Sequence, residues 1–407
     1  METAASSPQP GLPADGRREQ AQGSVVPNIP YIRRQDVTEQ RATFFELFFD
    51  LVYVFAVTQL SHHLLANLSW EGAAEMAFML IAVYWAWNYT TWMANWFDPD
   101  TIPVRLILVF VMLASLLMAV AIPAGFGDQA LLFGCSYSAL QIGRNAFVVG
   151  VTPAGDFNRN FKQILAWSIL SAPLWIAGGL ASEQVRWMLW LAALGVDLVA
   201  PLVMYWIPRV GPTPLSQWQI NGRHFAERFQ LFVIIALGEG IVLTGVTASD
   251  TGLSGAHLVA LSLAFLSSAA LWWLYFGHVS GAVADAIGES LADEVGRIGR
   301  DVYTYLHLPI IAGIVLVAVG DELAVAHPDE PLHWPGALVT LGGPALYLLG
   351  VMACAARVGR PQRWPRAVVV ILLLAAIPLA ARAPAIAVSG ALVVLLGSLV
   401  IAEELRA

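Results

Sequence analysis

The chain has 407 residues, of which 58% are hydrophobic and 12% charged, whereas soluble domains carry roughly 25% charged residues. Runs of about 20 apolar residues imply a polytopic helical membrane protein, and the short alternating segments of a β-barrel are missing. A formal charge of −8 argues against nucleic acid as a partner.

Residues 1–42 are polar, Pro-rich and basic with no apolar core, so they read as a disordered cytosolic tail rather than a cleavable signal peptide. Apolar segments follow at about 44–65, 74–93, 103–122, 130–150, 161–180, 185–207, 224–247, 257–279, 303–320, 335–356, 367–382 and 385–402. They predict an all-α protein of about 12 transmembrane helices. With the N-terminus cytosolic, only Arg186 and Arg382 of the 21 lysines and arginines fall on the outer side, which places both termini inside. Cys135 and Cys354 lie within apolar runs and read as small hydrophobes, not as a disulfide or metal pair.

The first span contains Glu46 and Asp50, four residues apart and therefore on one helix face. An ionised acid in hydrocarbon costs about 2.5–3.5 kcal/mol on insertion scales, so each acid is expected to have a partner or a function. Glu46 is close enough to the cytosolic end to snorkel; Asp50, about 6 Å deeper at 1.5 Å per residue, is not. His62 and His63, near the outer end of this span, point about 100° apart and suit an interfacial role better than a shared metal.

In the fourth span Arg144 lies at the depth of Asp50, and an Asp50–Arg144 or Glu46–Arg144 pair is the expected counter-charge. Asp197 adds an acid to the sixth span. Residues 209–223 read as a cytosolic linker. The seventh span opens with His224, Glu227 and Arg228, within i, i+3 and i+4 reach, which predicts a local ion cluster or gate. Glu239, flanked by Gly238 and Gly240, sits near its middle with no basic residue within one turn. Its partner must come from elsewhere; if none does, burial is expected to keep this acid neutral, the state a proton carrier needs. Between the eighth and ninth spans, Ile287, Leu291, Val295 and Ile298 recur at helical spacing and predict an amphipathic helix on the membrane interface.

Sliding the chain by about 181 residues lays Glu46 on Glu227 and Phe48 on Phe229, and later spans echo each other in order. The expectation is two parallel, pseudo-symmetric six-helix halves, 43–208 and 224–402, followed by a short cytosolic end at 403–407. No P-loop, Rossmann fingerprint, zincin helix, nucleophile elbow or CxxC occurs, so no soluble-enzyme motif, metal or cofactor is expected.

The stretch from Glu46-Leu-Phe-Phe-Asp50 through Leu-Val-Tyr-Val-Phe-Ala-Val, together with His224-Phe-Ala-Glu227-Arg228 through Gly238-Glu239, resembles the bacterial low-temperature-requirement protein A family. Gly240 stands where the family is expected to carry a serine. The resemblance covers about residues 35–402 and implies a multi-pass inner-membrane protein; it supplies no reaction or substrate. Arg41 followed by Phe49-Asp50 is also similar to an element of the two-repeat potassium channels of endosomes and lysosomes.

The residues therefore favour a proton- or cation-coupled transporter of a small molecule. Asp50 and Glu239 are its ion carriers, Glu46 and Arg144 its gating or substrate pair, and His224, Glu227 and Arg228 its inner gate. An intramembrane enzyme using the acids on a lipophilic substrate and an ion channel are the alternatives. The lipid bilayer and an unidentified small molecule or ion are the expected partners, with the oligomeric state open.

Overall fold

The structure is a computed structural model that describes residues 31–33, 41–214, 218, 220–251, 254–290, 292–360 and 364–406. Fourteen α-helices run through the described residues: α1 (Phe44–Ala66), α2 (Trp70–Trp96), α3 (Ile102–Ala121), α4 (Ala130–Val151), α5 (Asp156–Leu180), α6 (Glu183–Val199), α7 (Gly222–Thr251), α8 (Gly255–Phe276), α9 (Val279–Glu289), α10 (Ala292–Ile298), α11 (Leu308–Ala326), α12 (His333–Arg357), α13 (Trp364–Ala380) and α14 (Ala385–Glu404). A π-helical stretch, Gly299–Leu306, leads from α10 into α11. Only isolated β-bridges occur besides these among the described residues.

Each apolar segment expected from the sequence falls on a helix. Among the described residues eight helical stretches are long and apolar enough to cross a membrane, α1, α3, α5, α7, α12 and α14 among them. The central α2 carries Trp, Asn, Thr and Glu side chains that are almost all buried within the protein. A helix shielded by its neighbours does not need the apolar surface that lipid demands. The sixth segment ends earlier than expected, at Val199, because Pro201 follows and the chain turns through Met204 and Tyr205, both at positive φ.

α1 packs on α2 and α3, α3 on α4, α4 on α5, and α5 on α6. Later in the chain α7 packs on α8 and α11, α11 on α12, α12 on α13, and α13 on α14. The two runs meet where α1 and α2 lie against α7 and α11. The close fit of α11 on α12 depends on missing side chains. A Cβ at Gly313 would stand 2.6 Å from the Tyr347 backbone nitrogen, and one at Gly343 2.8 Å from that of Val317. Between helices in lipid, close backbone approach of this kind adds van der Waals packing where a water-driven hydrophobic effect is lacking.

The amphipathic segment after α8 is helical as expected, but its apolar face does not lie on the membrane interface. Ile287, Val295 and Ile298 are buried in the main core, and Ile287 fits against Gly222 at the start of α7. An apolar stripe at helical spacing fits lipid and protein equally well; here the connector folds back onto the bundle. Leu291 lies outside the described residues. Cys135 and Cys354 are both free.

Candidate functional site

α1 and α7 lie side by side and start in the same way. Thr43 caps α1 with a capping box: its hydroxyl accepts the Glu46 N–H at 3.3 Å, and its own N–H donates to Glu46 Oε2 at 2.8 Å. Asn221 caps α7 by accepting the His224 N–H at 3.1 Å. Counted from these caps, Glu46 and His224 are each the third residue of their helix, and Asp50 and Arg228 each the seventh. Equal register on parallel neighbours brings them face to face. His224 Nε2 is 3.1 Å from Glu46 Oε1, Arg228 Nη1 is 3.1 Å from the same oxygen, and Arg228 Nη2 is 2.6 Å from Asp50 Oδ1. The facing pairs are thus 178 residues apart, not the 181 of the apolar echoes.

All four side chains are buried, Asp50 completely. Its Oδ1 also accepts the Trp87 indole N–H at 2.8 Å. That indole is fixed by stacking on Phe232 at 4.0 Å, while the Arg228 guanidinium lies over Phe49 at 5.9 Å. Asp50 Oδ2 is buried without a hydrogen-bond partner, so this acid is held through one oxygen alone.

The His224 tautomer follows from its neighbours. The Asn221 N–H donates to Asn95 Oδ1 at 2.8 Å, which orients the Asn95 amide. Its Nδ2 then faces His224 Nδ1 at 3.0 Å. Nδ1 must accept, so the ring proton sits on Nε2 and is donated to Glu46.

A fifth member comes from the chain's N-terminal segment. Arg33 Nη2 lies 2.8 Å from Glu46 Oε2. Tyr31 to Arg33, expected within a disordered tail, instead pair with the end of α2: Arg33 N–H donates to Trp96 O at 2.9 Å and Asp98 N–H to Tyr31 O at 2.7 Å. The rest of residues 1–40 lies outside the described residues. A single arginine in a polar stretch carries no periodic signal, so nothing in the sequence marks Arg33 as a member of this centre.

Other expectations are corrected. Glu46 does not snorkel; it is buried as the hub of Arg33, His224 and Arg228. Glu227 forms no ion pair with His224 or Arg228 and instead accepts the Ala42 N–H at 3.0 Å. Arg144 is not the partner of Asp50 or Glu46. It bonds to Gln141 and, at 3.3 Å, to Thr90, and lies over the Tyr89 ring at 5.3 Å. From Gln141 a chain runs through the Tyr137 hydroxyl, at 2.9 Å, to Asp197, which the Trp175 indole also reaches at 3.0 Å. Arg144 and Asp197 therefore form a separate polar relay among α4, α5 and α6. Depth alone points Arg144 at Asp50, whereas Arg228, at the same register as Asp50, reads in sequence as part of a local cluster.

Glu239 lies beyond the ionic centre, facing Thr58 and His62 of α1. Farther toward the ends of α1 and α11 are a His63–Glu75 pair at 3.0 Å and Glu322, which accepts from Thr247 at 3.2 Å. Arg366 and Glu403 form a buried bidentate pair at 2.6 and 2.7 Å that ties α13 to α14. Among the described residues no group of three or more His, Cys, Asp or Glu could hold a metal.

Helices able to cross a membrane several times, with a buried ionic centre between two of them, define an integral multi-pass membrane protein. The chain belongs to the family described as bacterial low temperature requirement A protein, whose model matches residues 41–401. It is 39% identical over 335 residues to an uncharacterized protein of Rhizobium meliloti (strain 1021), covering 81% of each chain. No solved structure matches it.

Proposed function

We propose that the protein is an inner-membrane secondary transporter with both termini cytosolic, coupling movement of a small molecule to protons or another cation. Twelve helices would form two pseudo-symmetric halves, α1–α6 and α7–α14, with α9 and α10 as a cytosolic connector. The matched neighbour relations of the two runs and the common capping register of α1 and α7 support the duplication.

One observation carries the reading. Every ion pair between Glu46 or Asp50 and His224 or Arg228 joins the first half to the second. Sites in such folds sit between the halves, and alternating access rocks one half against the other. The pairs act as a charge latch that closes the cytosolic side. Asp50, with one oxygen unbonded, is the acid that can take a proton and release Arg228. Glu239 faces α1 deeper in the same interface and receives the proton on the other side of the latch.

The test is counterflow in proteoliposomes loaded with a mixed small-solute extract and subjected to a pH step. Exchange should depend on the pH gradient and be abolished by Asp50→Asn or Glu239→Gln. Exchange that is unchanged in both variants overturns the assignment.

A further inference from the structure

We propose that the crevice at the N-terminal ends of α1 and α7 is a binding site for a free cation bearing a guanidinium or ammonium group, and that Arg33 occupies it as a tethered stand-in. Arg33 belongs to none of the helices that build the crevice. Its segment is stitched to the end of α2 by backbone bonds and the Ile32–Phe97 bridge, and only the guanidinium enters the ionic centre. There Nη2 lies 2.8 Å from Glu46 Oε2 and Nε donates to Phe97 O at 3.2 Å, whereas Nη1, 3.2 Å from His224 Nε2, makes no hydrogen bond to that protonated nitrogen. The Arg33 side chain as a whole is almost enclosed, at 9% exposure. The Glu46 carboxylate on α1 thus faces the guanidinium as an ion pair, and the Phe97 carbonyl just past α2 accepts its Nε–H.

The charge balance indicates which ligand fits. Glu46 and Asp50 contribute two negative charges, and within the helices they are faced by Arg228. The His224 ring donates from Nε2 because Asn95 occupies Nδ1 with a donor. Arg33 supplies the second cation. When its segment lifts away, a buried carboxylate is left short of a counter-charge, and an uncompensated buried charge is strongly unfavourable. A soluble organic cation with N–H donors restores the balance. A metal ion is a poorer match, since no cluster of metal-ligating side chains exists among the described residues. The tether gives Arg33 a high effective concentration, so a free ligand competes weakly with it and binds well only when it is withdrawn. Binding at this crevice stands whether or not the protein transports anything.

The experiment is chemical rescue of the full chain in lipid nanodiscs. Arg33→Ala should lower the thermal unfolding midpoint by several degrees, and low-millimolar ethylguanidinium should restore it, since a ligand that binds the native state stabilises it. The same titration should leave the wild type and the Arg33→Ala/Glu46→Gln double variant unmoved. Urea, similar in shape but uncharged, should give no recovery. Absence of recovery, or equal recovery with urea or in the double variant, overturns the proposal. Should Arg33→Ala fail to fold, Arg33→Lys takes its place. In that variant ethylguanidinium should accelerate exchange of the Asp98 amide, which the segment protects, several-fold; unchanged exchange is equally decisive against the site.

Discussion

Replacing Arg228 by methionine is the sharpest perturbation of the ionic centre. The variant keeps a long apolar stem over Phe49 but removes the charge that meets Asp50 at 2.6 Å and Glu46 at 3.1 Å. Glu46 retains Arg33 and His224, whereas Asp50 keeps a single hydrogen bond, from Trp87. Breaking a buried pair on one side costs about 3–5 kcal/mol, and Asp50, fully enclosed, is the group that bears it. Asp50→Asn alone should cost less, about 1–3 kcal/mol, because Arg228 still has Glu46. The double variant carries no stranded charge and should cost about 2–3 kcal/mol less than the two single losses added together, which is the coupling a double-mutant cycle reads. Unfolding free energies measured by steric trapping in bicelles provide all four corners. Single costs that simply add, or an Arg228→Met cost below about 1 kcal/mol, would refute the ion-pair reasoning.

Other consequences can be measured alongside. Asn95→Leu removes the donor that fixes the His224 tautomer and the acceptor for the Asn221 N–H; it should cost about 1–3 kcal/mol and shift the His224 ring signals in 15N NMR. Gly313→Leu cannot be accommodated against the Tyr347 backbone and should destabilise the bundle by more than about 2 kcal/mol, whereas a leucine at Gly342, whose Cβ position is open, should be nearly neutral. Arg366→Ala breaks the buried pair with Glu403 and should cost about 3–5 kcal/mol while leaving the Asp50–Arg228 coupling energy intact.

The sequence exposed the helical membrane class and the residues at the centre, but not their partners. Long apolar runs leave little alternative to spanning helices, and acids inside them stand out because lipid penalises them. Glu46 and Asp50 are visible for that reason, and His224 and Arg228 as part of a charged turn opening the seventh span. Their pairing is not, because segments 178 residues apart carry no local mark of contact. The apolar echoes run at an offset of 181, whereas the residues in contact share their places relative to the caps Thr43 and Asn221. Glu75 and Glu403 escaped notice because an acid near a helix end looks solvated until its partner is seen. The face of the α9–α10 connector was misplaced because an apolar stripe does not specify whether lipid or protein will cover it.

The most direct test of the central claim, that the charge latch holds two halves together on the cytosolic side, is the distance between those halves. Spin labels at Ile102 and Trp364, both exposed at the starts of α3 and α13, report it by double electron–electron resonance in nanodiscs. The account predicts one short distance in the wild type and a second, longer population in Asp50→Asn/Arg228→Met. A single unchanged distance in both proteins would contradict it.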